Sequence, residues 1–532
     1  MTAFAGTGLL VRLVLRRDRL LLPVWVVAIG GVVSAIASAI TSVYADPAQR
    51  LALGAMISGN PAMRALTGPV FDPTSVGGLI AWRATTIAAV LTALMSILLV
   101  TRHTRAEEES GRAELIGAGA VGRHALPAAA VLVASLANLA TGLLIGLGLS
   151  AQGLPAAGSL ALGLAIAGVG WVFTGLSVLA AQLTEGARTA NAIACSALAL
   201  CFLVRAAGDA ADVEAVSWLS PLGWAQRLRP FAGERWWVPA LIAVAGLLLL
   251  GASGLLARRR DLGAGMMAPR SGPANAAHSL RSPLALAWRL HRGALLAWTI
   301  GFAVAGAVFG TLAESMRDIV SDNPRIAELI SMVGGGDTLV DTFFATELGL
   351  CGVVAGGYAV QAALRSRTEE AAARAEPVLS TAVPRWRWLA GHLAFALLGS
   401  AVILAVTGFA AGLTHGLRTG QPLTEAVRIL GAALVQVPAV WVLAGLAVLL
   451  FGALPKLTAL TWAALVTFVL LGQLGQLLQI DERVRAISPY FHLPQVPGGQ
   501  FSAVPLVWLA GVAALLALAG IAAFGRRDLS GD

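Results

Sequence analysis

The sequence predicts an all-α polytopic membrane protein of about 12 transmembrane helices, built as two parallel six-helix repeats. Three observations predict it. Hydrophobic residues make up 57% of the chain and charged residues 12%, where a soluble domain carries about 25% charged residues. The apolar residues gather in runs of roughly 20, the length that crosses a hydrocarbon core about 30 Å thick. An ordered series of short motifs also occurs twice, dividing the chain into a first half at 1–257, a linker at 258–292 and a second half at 293–532.

The first element is amphipathic. Leu9, Leu10, Leu13 and Val14 alternate with Arg12, Arg16, Arg17 and Arg19, a pattern suited to lying on the inner membrane face rather than to a cleavable signal. Six apolar spans follow, near 22–42, 82–101, 126–149, 159–182, 189–206 and 237–257. Six more lie near 294–313, 343–364, 389–412, 427–453, 457–479 and 503–524. An even count puts both termini on one side. Of 37 Lys and Arg residues, 24 fall in the termini and in the loops after even-numbered spans. The positive-inside rule therefore makes that side cytoplasmic, in a plasma (inner) membrane. The net charge of +9 is explained by arginines flanking spans, so no nucleic-acid partner is expected. Cys195, Cys201 and Cys351 all lie in apolar runs, and neither they nor the scattered histidines have the spacing of a metal site. The linker, rich in Arg, Gly and Pro, is expected to be mobile.

The duplication is carried by matched positions. Arg19 before Trp25 is echoed by Arg292 before Trp298, and Asn60-Pro61 by Asn323-Pro324. Ser220-Pro221 returns as Ser488-Pro489, and Val238-Pro239 as Val504-Pro505. Arg259-Arg260-Asp261-Leu262 returns as Arg526-Arg527-Asp528-Leu529. Because each half has an even number of spans, the repeat is parallel, about an axis along the membrane normal.

The most informative pair of segments follows spans 2 and 8. Residues 105–114 read Arg-Ala-Glu-Glu-Glu-Ser-Gly-Arg-Ala-Glu, and residues 367–376 read Arg-Thr-Glu-Glu-Ala-Ala-Ala-Arg-Ala-Glu, an offset of 262. Arg123 and Arg385 follow at matching distances. Glu108–Arg112 and Glu370–Arg374 stand at i, i+4, where a helix would let each pair meet and gain about 0.3–0.5 kcal/mol. Each segment thus reads as a short charged cytoplasmic helix. A solvated loop with ordinary ion pairs explains one such segment but explains less well why it recurs.

On these residues the whole chain resembles an ABC-2 type transporter permease. The form is the duplicated twelve-span one of actinobacterial polyketide-antibiotic exporters, including those similar to the tetronasin exporter. A further likeness is Trp218-Leu219-Ser220-Pro221-Leu222-Gly223-Trp224 followed by Arg229-Pro230-Phe231. The resemblance implies that the segment after span 2 of each half is a coupling helix docked on an ATP-binding subunit. Glu107, Glu108, Arg112 and Glu114 would form one, and Glu369, Glu370, Arg374 and Glu376 the other. Ala373 replaces Gly111 and Pro377 replaces Leu115, so the second helix is expected to be shorter. The resemblance implies export of lipophilic or amphipathic compounds such as antibiotics or drugs. It also implies outer helices before spans 6 and 12 that cap the exit.

What is missing agrees. The sole lysine, Lys456, is in Phe-Gly-Ala-Leu-Pro-Lys-Leu, which is no phosphate-binding loop. ATP and magnesium are expected on a partner subunit, in two copies, and this chain is not expected to be an enzyme. Charges near membrane depth are candidates for a gate or substrate path. Arg83 and Glu347 begin spans 2 and 8 and are expected either to approach each other across the repeat axis or to snorkel outward. Arg205, Asp209, Asp212 and Glu214 are expected to sit in water. Trp218, Trp224, Trp236, Trp237, Tyr490 and Phe491 read as interfacial anchors. Gln436, Gln473, Gln476 and Gln479 read as helix–helix hydrogen-bonding points. The alternative function is a proton-coupled secondary transporter, for which Glu347 is the one fair carboxylate. A membrane scaffold would fit the topology but not the matched charged segments.

Overall fold

Among the residues that the computed structural model describes, 3–259, 263–267, 275, 277, 280–321, 336–469, 471 and 481–528, all regular structure is helical. Eleven helices there are long and apolar enough to cross a membrane. The expected span near 457–479 begins as Leu460–Val469, and most of its remainder, with Gln473, Gln476 and Gln479, lies outside the described residues, as does Asn323-Pro324. The chain divides into two compact units, Met1–Gly272 and Pro273–Asp532.

The first unit opens with α1 (Thr7–Arg17), whose Leu10 and Val14 are buried while Leu9 and Leu13 are exposed. Asp18 then ends the helix and is itself buried, held by His103 and Arg102. The first span, α2 (Leu21–Val43), leads into α3 (Pro47–Gly59) and α4 (Pro61–Thr67). Asp46 caps α3 by accepting from Ala48 N, with Pro47 in the first turn, as helix starts favour. The second span is α5 (Val76–His103), capped by Ser75. After α6 (Arg105–Glu109) and α7 (Arg112–Gly117) come the spans α8 (Ala125–Ala151), α9 (Ala156–Leu183) and α10 (Ala187–Ala210). The unit closes with α11 (Glu214–Ser217), α12 (Pro221–Arg227) and the span α13 (Val238–Ala257).

Helices α5 and α9 are the most buried spans of this unit. Small residues bring the backbones together: a Cβ on Gly163 would lie 2.1 Å from Gly142 O, the close approach that replaces a hydrophobic driving force in lipid. Asn138 of α8 is buried at the centre. It accepts from Ser96 Oγ of α5 at 3.1 Å and donates to Thr174 Oγ1 of α9 at 3.3 Å.

The second unit starts earlier than the sequence suggests. Its first helix, α14 (Pro283–Ser321), begins inside the expected linker, with Ser282 Oγ accepting from Ala285 N at 3.2 Å. Then follow α15 (Gly336–Ala363), α16 (Arg365–Ala371), α17 (Glu376–Leu379) and the 35-residue α18 (Arg385–Thr419). The expected span near 427–453 is broken into α19 (Pro422–Leu434) and α20 (Val437–Ala453). Pro438 is the reason, because it lacks an N–H and is tolerated only in a first helical turn. Gln436 at the break is buried, and a Cβ on Gly352 would lie 2.8 Å from its Oε1. The remaining helices are α21 (Leu460–Val469), α22 (Glu482–Arg485) and α23 (Val504–Arg526).

The linker is not free throughout. Met266 N and Met267 N donate to Gln182 O and Leu183 O at 3.1 and 3.0 Å, so Gly263–Met267 runs along the end of α9.

Candidate functional site

The two repeated charged segments fold as elbows rather than as single helices. Helix α5 stops at Thr104, where the backbone turns to φ −122° and ψ −83°. Gly111 then takes φ +72° between α6 and α7, and Ala373 takes φ +53° between α16 and α17. These two residues are matched by the offset of 262. Glycine adopts that left-handed region without penalty, whereas alanine carries a steric cost there.

The break changes the pairing. Glu108–Arg112 and Glu370–Arg374 do not meet at i, i+4, because no continuous helix joins them. Instead Arg112 reaches back five residues to Glu107, Nε to Oε2 at 2.9 Å and Nη2 to Oε1 at 3.3 Å. Arg374 makes the same fork on Glu369, at 2.8 and 3.4 Å. Such two-pronged, charge-assisted pairs fix geometry as well as adding energy.

Burial divides the eight candidate coupling residues. Glu107, Glu369 and Glu370 are buried and Glu108 is half-buried, whereas Arg112, Glu114, Arg374 and Glu376 are exposed. The buried carboxylates are tied to residues that sequence reasoning passed over. Arg17 of α1 pairs with Glu107, and Arg105 with Glu108. Arg527, just past α23, donates to Glu370 Oε2 at 2.7 Å, and Arg365 Nε lies 2.9 Å from Glu369. Arg105 is itself fully buried and donates to Thr184 O and to Ala264 O of the linker. The repeated Arg-Arg-Asp-Leu at the chain end was the available signal for Arg527; nothing local pointed to Arg17. The outer face of the first elbow carries Glu109, Glu114 and Leu115, the last 78% exposed. In the second elbow α17 has four residues against six in α7, and Glu376 and Pro377 are exposed.

Each candidate gate residue lies within its own unit. Arg83 is on an exposed face of α5, its guanidinium 5.9 Å from the Trp82 ring centre. Glu347 is half-buried on α15.

A different set of charges is buried instead. Asp212 and Glu214 are exposed, but Arg205 and Asp209 do not sit in water: they are 0% and 4% exposed. Arg205 Nη1 lies 3.4 Å from Asp209 Oδ2, Arg227 Nη2 3.2 Å from Asp209 Oδ1, and Ser217 Oγ donates to that oxygen at 2.7 Å. Helices α11 and α12 cover the pair, since a Cβ on Gly223 would lie 2.0 Å from Ser217 O. Ser220 caps α12 and donates to Cys201 O at 2.7 Å. Phe231, at φ +63°, inserts beside Gly77 and Gly158. The Trp-Leu-Ser-Pro and Arg-Pro-Phe residues therefore build a plug on this end of the unit. Trp236 and Trp237 are exposed there as anchors would be, whereas Trp218 and Trp224 are half-buried.

Comparison with known proteins agrees with this architecture. The chain is 42% identical over 529 residues to the multidrug efflux system permease protein Rv1217c of Mycobacterium tuberculosis, covering 99% of this chain and 96% of that protein. The family model described as "Multidrug efflux system permease Rv1217c, C-terminal domain" matches residues 10–259 and 280–525. With eleven candidate spans in two units and a match across nearly its whole length, this chain belongs to the Rv1217c family of multidrug efflux system permeases.

Proposed function

We propose that this chain is the membrane-spanning permease subunit of an ATP-driven (ABC) exporter of lipophilic or amphipathic compounds, such as antibiotics or drugs. A separate ATP-binding subunit, present in two copies, would hold ATP and magnesium and hydrolyse the nucleotide. Both termini would face the cytoplasm, on the side that carries the excess of arginine. The observation that carries this reading is the elbow. The same Glu–Arg fork and the same left-handed break occur after the second span of each half. The buried members make each elbow rigid, and the exposed members give it a polar outer face. A rigid lever at each half is what a partner needs to move spans when it closes.

The test is ATPase activity and transport after co-expression with the candidate ATP-binding protein. Glu114→Arg with Leu115→Asp alters the first outer face, and Glu376→Arg the second. The purified chain alone is expected to be inactive. The partnered chain is expected to hydrolyse ATP with drug stimulation, and the face variants to lose that stimulation while keeping the same thermal unfolding. A partner that never co-purifies, with transport that follows the proton gradient, would overturn the reading and direct attention to Glu347.

A further inference from the structure

The two units differ along one seam. In the second unit α20 and α23 pack backbone to backbone: a Cβ on Gly452 would lie 2.0 Å from Gly520 O. The equivalent helices of the first unit are α9 and α13. Their register is set by matching contacts, because Gly175 meets Gly246 O and Leu249 as Gly445 meets Ala513 O and Leu516. In that register Gln182 stands for Gly452 and Ser253 for Gly520. Ala257 stands for Phe524, whose ring packs at 5.7 Å on Trp388 and 5.2 Å on Phe451. In the first unit larger residues thus stand where the second unit has its glycine contact, and a smaller one stands where Phe524 fills the seam.

The result is a groove. At the end shared with Ala3 and Phe4, a cavity of about 800 Å³ is bounded by Arg123 and Arg258 and floored by Val131, Val178 and Leu250. Both arginines are exposed, and their charges join burial in holding the His124 imidazole below its ordinary pKa. One to two turns deeper on the same three helices, a second cavity of about 310 Å³ is lined by Leu139, Leu164, Trp171 and Ile242. From residue 124 to residue 139 of α8 is roughly 22 Å at 1.5 Å per residue, more than half of a bilayer core about 30 Å thick. Basic pockets between spans suit anionic lipid headgroups, and the volume is that of an ordinary ligand site.

We propose that this groove of the first unit is a binding site for one anionic phospholipid of the adjoining leaflet, with Arg123 and Arg258 on its phosphate and an acyl chain running to Trp171. Among the described residues of the second unit, Phe524 and the Gly452–Gly520 contact occupy the equivalent space.

The test uses the purified full chain in detergent, where orientation does not enter. Phosphatidylglycerol and phosphatidylcholine, each brominated on the acyl chain, are titrated while tryptophan fluorescence is read. Phosphatidylglycerol is expected to quench preferentially, and Trp171→Phe to remove that quenching. Arg123→Gln and Arg258→Gln should each weaken it about fivefold. Arg385→Gln, the second-unit counterpart of the first, should not weaken it. Ala257→Phe, which copies the second unit, should abolish it. Equal quenching by both lipids overturns the proposal. So does phosphatidylglycerol-specific quenching that survives Trp171→Phe, which needs no change to the charged residues or to folding.

Discussion

Among the described residues, the two units share their elbows but not the buried charges outside them. The first packs Arg205, Asp209 and Arg227 together under α11 and α12, with hardly any exposure. In the second, Arg428 instead pairs with Asp341 at 2.6 Å and with Glu425 at 2.7 Å, and all three keep partial contact with their surroundings. The Ser220–Ser488 register places Gln473 and Gln495 where Arg205 and Arg227 stand. Among the described residues the two halves have therefore kept the elbow fork and re-drawn these other ionic contacts.

The largest expected effect tests that contrast. Asp209→Asn leaves the buried Arg205 without its counter-charge, with Arg227 keeping only Glu214 at 3.6 Å, and should cost about 3–5 kcal/mol. Asp341→Asn leaves Arg428 paired with Glu425 and should cost about 1 kcal/mol or less. Thermal unfolding in detergent compares them, and equal losses would break the contrast. Next comes the seam. Gly452→Ala forces α20 and α23 apart and should cost about 1–3 kcal/mol, whereas Ser253→Ala in the first unit should stay within about 0.5 kcal/mol.

The elbows give a smaller, reciprocal pair. Gly111 has open space around its Cβ position, so Gly111→Ala tests backbone strain alone and should cost about 1 kcal/mol. Ala373→Gly should gain a similar amount, less the extra freedom that glycine gives the unfolded chain. Shifts of the same sign would mean that the elbows are not equivalent. The smallest effect is one of pH. Burial opposes ionisation of Asp72, but hydrogen bonds from Thr74 and Ser75 outweigh it and hold the carboxyl below its ordinary value of 3.8. Its stabilisation is complete above about pH 4 and is lost as pH falls through the lowered value. Asp72→Asn should flatten the acid limb of a stability–pH curve by lowering stability at neutral pH, the two curves converging once pH falls below the lowered value.

Much of this fold was legible because membranes impose length and polarity on every span. The position of the elbows was legible because the chain states it twice. Their internal pairing was not. Ala373 gives no sign of a left-handed backbone, so a helix with i, i+4 pairs was the natural reading. Burial of Glu107 and Glu370 depends on Arg17 and Arg527, 90 and 157 positions away, and no local pattern reports such distances. Arg205 and Asp209 look like a wet helix end until α12 folds over them. Pro438, by contrast, was in plain view as a reason for α19 and α20 to separate.

The short docked stretch of the linker bears on where the chain could be divided without loss. Ala264 O accepts from the buried Arg105, and Gly263 N lies 3.4 Å from Glu108 Oε2, so the first elbow leans on residues that follow the last span of its half. A version split into two polypeptides after Met267 should keep that support. One split before Gly263 would hand it to the wrong fragment. The stretch that tethers the halves is thus also a brace for the first elbow.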